Sequence, residues 1–87
     1  MIVIEDKNIL LNNLDKVHTT LMGIDRIKRN LSLSDADVVS FCIDMIKDSS
    51  SVITRRGKNY YILVFDVVIT VNAHSYTIIT AHRVNKE

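Results

Sequence analysis

Proline and tryptophan are absent from the 87 residues, glycine occurs twice and cysteine once. Each shortage excludes something. Without proline, and with glycine so scarce, collagen-like, Pro-rich and flexible-linker architectures are out. A lone Cys42 forbids an intrachain disulfide framework and fits a reducing compartment. No apolar run approaches the roughly 18 residues of a membrane span, the longest being the strand-sized Tyr60 to Phe65. The start, Met1-Ile2-Val3-Ile4-Glu5-Asp6, turns acidic after three apolar residues, unlike a signal peptide. The expectation is a cytoplasmic protein with no membrane partner. An excess of one charge is also missing: 11 Lys and Arg against 10 Asp and Glu leave +1. A protein that coats nucleic acid nonspecifically is thereby excluded.

What is present is 47 % hydrophobic and 24 % charged residues, the proportions of a globular chain. The length suits one domain over 1–87, with a helical part at 6–48 and a sheet part at 51–84. From about Lys7 to Lys16, Ile9, Leu10, Leu14 and Val17 recur at helical spacing, with Asp6 as N-cap. A second helix is expected from Leu21 to Leu31, on Ile24, Ile27 and Leu31, although Gly23 weakens its first turn. The third carries the strongest start signal, Ser34 followed by Asp37, and a broad apolar face through Val39, Phe41, Cys42, Met45 and Ile46.

Beyond Asp48-Ser49-Ser50-Ser51 the period shortens to that of strands. Four runs follow, Val52 to Arg55, Asn59 to Phe65, Val68 to Val71 and Tyr76 to Arg83. Their short breaks favour an antiparallel meander. The fold expected is α+β: three N-terminal helices packed on one face of a four-stranded antiparallel sheet. Tyr60, Ile62 and Val64 alternate with Tyr61, Leu63 and Phe65, so both faces carry apolar groups. The face turned away from the helices should line a groove or meet a protein partner, a second copy included.

Near-neutrality hides a segregation of charge. Residues 1–25, 26–29, 30–48 and 49–83 carry −2, +3, −3 and +3. If the basic segments meet, they make a local surface for phosphate; if they do not, they are a solvated helix face and a charged hairpin turn.

The chemistry-bearing residues are few. His18 reads either as a cap where the first helix ends or as a general acid–base group. His82 shares a strand face with Thr80, and His74 sits in the preceding turn. Three histidines and one cysteine without His-x-x-x-His or Cys-x-x-Cys spacing give no metal site. Cys42 belongs to an apolar helix face and reads as core. No Gly-rich phosphate loop occurs, and no cofactor is implied. The remaining inventory suits metal-free RNA cleavage, in which the ribose 2′-hydroxyl attacks the phosphate. That reaction needs a base, an acid and cations, and RNA brings its own nucleophile.

Three stretches carry a resemblance. They are Leu14-Asp15-Lys16-Val17-His18-Thr19-Thr20 with Arg26-Ile27-Lys28-Arg29-Asn30-Leu31; Ile53-Thr54-Arg55-Arg56-Gly57-Lys58-Asn59-Tyr60-Tyr61; and Ile69 through His82. From about Asn8 to Arg83 the chain resembles DUF3781, a bacterial domain family of unknown function. Leu21 departs from the acidic residue expected in many members, so no role for that acid carries over. More distantly, the element order is similar to the barnase–colicin–RelE-like metal-independent RNases. That resemblance implies His18 as acid or base, Arg26 and Lys58 as phosphate ligands, and Thr80 and His82 completing the site. The other cations of the basic segments, Arg29, Arg55, Arg56 and Arg83, become candidate RNA contacts. The functional expectation is an RNA-binding protein with toxin-like endoribonuclease chemistry as the candidate activity. The alternative is a non-catalytic binding or inhibitor module, either a homodimer or a phage-type inhibitor of a nucleic-acid-binding partner.

Overall fold

The computed structural model describes residues 8–33 and 37–84. Helix α1 (Leu21–Leu31) starts at Thr20, whose hydroxyl accepts from the Gly23 amide at 3.0 Å. It stops at Ser32, which takes a left-handed φ of 58° and lets the Leu33 amide reach back to the Lys28 carbonyl. Helix α2 (Val38–Lys47) is capped by Asp37, whose carboxylate accepts from the Ser40 amide. This corrects the expected start, which made Ser34 the cap; Ser34 and the expected cap Asp6 both lie outside the described residues. Val38, Cys42 and Ile46, four apart, form the buried stripe of α2.

The first expected helix is not continuous. Residues 8–11 are helical, Asn12 and Asn13 turn, and Leu14–Lys16 form a single 3-10 turn. The cause is local: the Asn13 side-chain amide donates to the Ile9 carbonyl at 2.8 Å, competing with the backbone.

The strands are β1 (Val52–Arg56), β2 (Asn59–Val64), β3 (Val67–Asn72) and β4 (Ile78–Arg83). They form one antiparallel sheet in the order β1-β2-β3-β4, the expected meander. Arg56 joins β1 and Val67 and Asn72 join β3, each one residue beyond the expected bounds, and two further boundaries move. Phe65 leaves β2 for the turn, and β4 begins at Ile78 rather than Tyr76. Tyr76 has a φ of 59°, and the Asn72 carboxamide gathers the His74 and Ser75 amides into a turn that delays the strand. A register shift between Thr70 and Val71 absorbs one extra residue of β4.

Parity divides the sheet. Ile53, Tyr60, Ile62, Val64, Val67, Ile69, Val71, Ile78 and Ala81 are buried against Leu10, Val17, Ile27, Leu31 and the α2 stripe. Helix α1 packs along β4, and α2 reaches β2 and α1. Thus three helical elements precede the sheet, as expected in number, but the first is a 3-10 turn at Leu14–Lys16 rather than a helix from Lys7 to Lys16. The other face of the sheet carries Val52, Thr54, Arg56, Tyr61, Leu63, Val68, Thr80 and His82. A groove of about 450 Å³ runs along it, between Val52, Thr54, Arg56, Tyr61, Leu63, Val68 and Val84. That bears directly on the expectation of a second, partly apolar face. Among the described residues no helix is long and apolar enough to cross a membrane.

Candidate functional site

Antiparallel pairing sends the β1–β2 and β3–β4 connections to the same end of the sheet. The Ala73 amide donates to the Lys58 carbonyl at 2.8 Å and ties the two turns together. The chain before α1 joins them. The His18 amide donates to the Tyr76 carbonyl, and the His18 carbonyl accepts from the Ile78 amide at 2.7 Å, a parallel bridge beside the start of β4. Thr19 adds a hydroxyl bond to the Ile78 carbonyl. Three segments distant in sequence thus converge on one rim.

On that rim His18 is held from both ring nitrogens. Nδ1 lies 2.9 Å from the Lys16 carbonyl, and Nε2 lies 3.1 Å from the Thr77 hydroxyl. A carbonyl only accepts, so Nδ1 carries a proton, and in the neutral ring Nε2 is the acceptor. Thr77 then donates to His18. Ser75, 2.7 Å from the Thr77 hydroxyl, donates to Thr77 in turn. If His18 is protonated, the two middle bonds reverse: Nε2 donates to Thr77, Thr77 to Ser75, and Ser75 turns its hydrogen to the Asn72 carboxamide oxygen at 3.3 Å, while Nδ1 still donates to Lys16. The chain Asn72–Ser75–Thr77–His18 is satisfied in either protonation state, as a proton relay requires. His18 therefore caps the 3-10 turn through the Lys16 carbonyl, as the first of its two sequence readings expects.

The same rim is cationic. Arg55 folds back so that its Nε donates to the Gly57 carbonyl at 2.9 Å, with its guanidinium 5.5 Å from the Tyr60 ring centroid. Arg56 lies 5.5 Å from the Tyr61 ring, and the Lys16 ammonium 5.9 Å from the Tyr76 ring. Lys58 is exposed in the turn. Among the described residues the one ion pair is Arg83 with Asp66, at 3.2 Å, and it sits at the opposite end of the sheet. Among the described residues the cations of the rim have no carboxylate partner.

The remaining expected site residues stand elsewhere. His82 is five residues along β4 from Thr77, about 15 Å away. It pairs with Val68 on the exposed face, and its Nδ1 is 3.1 Å from the Arg83 carbonyl. Thr80 lies opposite Thr70 on that face, between the two ends. Arg83 is engaged by Asp66. Arg26 and Arg29 occupy the solvent side of α1, at the β4 edge. The β1–β2 turn belongs to the other edge, three strand spacings or about 14 Å across. The fold therefore places His18, Lys58, Arg55 and Arg56 at one end of the sheet, His18 beside β4 and the other three at the β1–β2 turn, with Thr80, His82 and Arg83 further along β4 and Arg26 and Arg29 on α1.

Asn72, Ser75 and Thr77 were not among the residues singled out in the sequence. Thr77 and His18 are 59 positions apart, and nothing local marks the contact. Cys42 is fully buried, and desolvation pushes its thiol up to about 12 from an ordinary 9.0. Among the described residues no group of three or more His, Cys, Asp or Glu is placed to hold a metal ion.

An α+β architecture with an antiparallel meander, helices against one face and a polar, cationic rim defines the class of protein. The family described as "Protein of unknown function (DUF3781)" matches residues 11–82, and the chain belongs to that family. Neither the curated proteins nor the solved structures contain a match to the chain.

Proposed function

We propose that the protein binds RNA at the rim where His18, the β1–β2 turn and the 72–77 loop converge. The observation that carries this reading is the placement of Lys16, Arg55, Arg56 and Lys58 at that end of the sheet, none of them in an ion pair among the described residues. Phosphate needs local positive potential rather than net charge, and the sum of +1 is no obstacle. Tyr61 and Tyr76 beneath two of these cations add the aromatic component common to single-strand binding surfaces.

Cleavage is the sharper form of the proposal. In it, neutral His18 takes the proton of a 2′-hydroxyl at Nε2, displacing the Thr77 hydroxyl, which turns to Ser75. The acid for the leaving 5′-oxygen would come from the same rim, where His74 stands in the 73–75 turn; His82 is at the wrong end.

Fluorescence anisotropy with a labelled single-stranded RNA tests binding. Four phosphate contacts give a slope of about −3 in log K against log salt, and Lys58→Ala lowers it by about 0.7. A protein that fails to bind at low salt, or a slope unmoved by Lys58→Ala and Arg56→Ala, removes the reading. Incubation of RNA in EDTA with the wild type and His18→Ala tests cleavage separately.

A second reading rests on the exposed face. Val52 is 58 % and Leu63 45 % exposed beside the groove, the kind of apolar surface that a non-catalytic binding or inhibitor module presents to a protein. Cross-linking of the purified protein in cell extract, compared with Leu63→Ser, separates this reading from the first. A capture pattern unchanged by Leu63→Ser would count against it.

A further inference from the structure

The two edges of the sheet are finished differently. On β4 three outward groups are taken: the Ile78 amide by the His18 carbonyl, the Ile78 carbonyl by Thr19, and the Ala81 carbonyl by the Asn30 carboxamide at 3.2 Å. On β1 the turn geometry decides which groups point out. Arg56 and Asn59 flank the two-residue turn, so Arg56, Thr54 and Val52 bond to β2, and the amides and carbonyls of Ile53 and Arg55 face away. No hydrogen bond of the described residues reaches them. An edge in that state is a template for another strand.

From this we infer that β1 pairs with β1 of a second copy, antiparallel about a two-fold axis through Thr54, joining the two sheets edge to edge. Three observations select this occupant and register. Head-to-tail growth, β1 on a neighbour's β4, is obstructed by the bonds at Ile78 and Ala81 and by α1 along β4, and self-pairing about a two-fold axis uses up both β1 edges, so assembly ends in a dimer. Centring on Thr54 sets Ile53 opposite Arg55 of the second copy, and the outward groups of both then meet in hydrogen-bonded pairs. Arginine on an edge strand ordinarily repels a partner. Here Arg55 and Arg56 lean over Tyr60 and Tyr61 of β2, away from the edge, and each faces an apolar residue, Ile53 or Val52. Centring on Arg55 would instead oppose like charges. A five-residue edge buries little area, so the dimer is weak and concentration-dependent.

The register is tested by cross-linking. Thr54→Cys places two thiols across a non-hydrogen-bonded pair, with Cα atoms about 4.5 Å apart, within disulfide reach. In Val52→Cys the thiols are four residues out of line, about 13 Å along the strand. Cys42, buried, stays out of both reactions. Under mild oxidation Thr54→Cys should form a disulfide dimer at least about tenfold faster than Val52→Cys. Sedimentation of the wild type from about 10 μM to about 1 mM should show a monomer passing into a dimer. Thr54→Lys, exposed and opposite itself, should weaken that dimer by about tenfold with the circular dichroism unchanged. A wild type monomeric throughout, equal or reversed cross-linking rates, or assemblies larger than a dimer would each overturn the inference. All measurements are made without RNA, so their failure leaves the RNA-binding proposal standing and its failure leaves the dimer standing.

Discussion

Phe65 sits in a two-residue turn with a φ of 55° and is 67 % exposed. The β1–β2 turn has the same form, with Gly57 at a φ of 60° in the corresponding place. Both have a positive φ at the first central residue and not at the second, the pattern of a type II′ hairpin that favours glycine there. A bulky side chain in the left-handed region costs about 1–2 kcal/mol, and Phe65 recovers little of it by burial. Phe65→Gly should therefore stabilise the protein by about 1 kcal/mol in urea denaturation. Cys42 gives a pH dependence at the same scale. Its thiol ionises near 9.0 when unfolded and about 12 when folded. Below pH 9 both states hold the proton; between 9 and 12 the unfolded chain releases it and the folded chain does not. Unfolding is then favoured as pH rises, by up to about 1.4 kcal/mol per pH unit. Comparing denaturation of the wild type and Cys42→Ala across pH 8 to 11 (about one point per half unit) should show this slope in the wild type only.

Helix α1 shows why an element can contradict its propensities. Gly23 lies in its first turn, where alanine would ordinarily add about 1 kcal/mol. A Cβ there would collide with the Thr19 hydroxyl, the group that caps the Ile78 carbonyl on β4. Gly23→Ala should accordingly destabilise the protein by about 1 kcal/mol despite the better helix former. Combining it with Thr19→Ala should cost less than the two changes added, as a double-mutant cycle would measure. The expected bounds of α1, Leu21 and Leu31, coincide with those observed because its apolar period, cap and ending are all local. The expected helix through Lys16 failed where a side chain intervened, at Asn13, and β4 started late where Tyr76 adopts a left-handed backbone. Neither Asn13 nor Tyr76 announces such a conformation by its type, since both depend on what the neighbouring turn bonds to.

For the whole molecule, topology decides which charges cooperate. The meander puts both basic turn residues and the 72–77 loop at one end, and the parallel bridge at Thr77 brings His18 there. It also separates Arg26 and Arg29 from Lys58 by the width of the sheet, and His82 from His18 by its length. If the rim is the RNA-binding surface, Lys58→Ala should weaken binding more than Arg29→Ala under the same salt, as anisotropy titrations would register. The edges obey the same geometry: β4 is capped at Ile78 and Ala81 by residues from before and within α1, whereas no other described residue bonds the outward groups of β1.

Composition, hydrophobic period and turn residues by themselves determined an α+β chain, its α1, its four strands and their meander, because those signals act over a few residues. Near-neutral charge, read in segments, located the cations without saying which would meet. Only the tertiary structure decided that His18 joins Thr77 rather than His82, and that among the described residues one edge of the sheet is partly capped and the other is not. Those outcomes come from contacts some 60 residues apart, fixed by strand pairing and by the closing of the chain before α1 onto β4. The net charge of +1 is the same in both accounts; folding sets Arg55, Arg56 and Lys58 at one end of the sheet and the Arg83–Asp66 pair at the other.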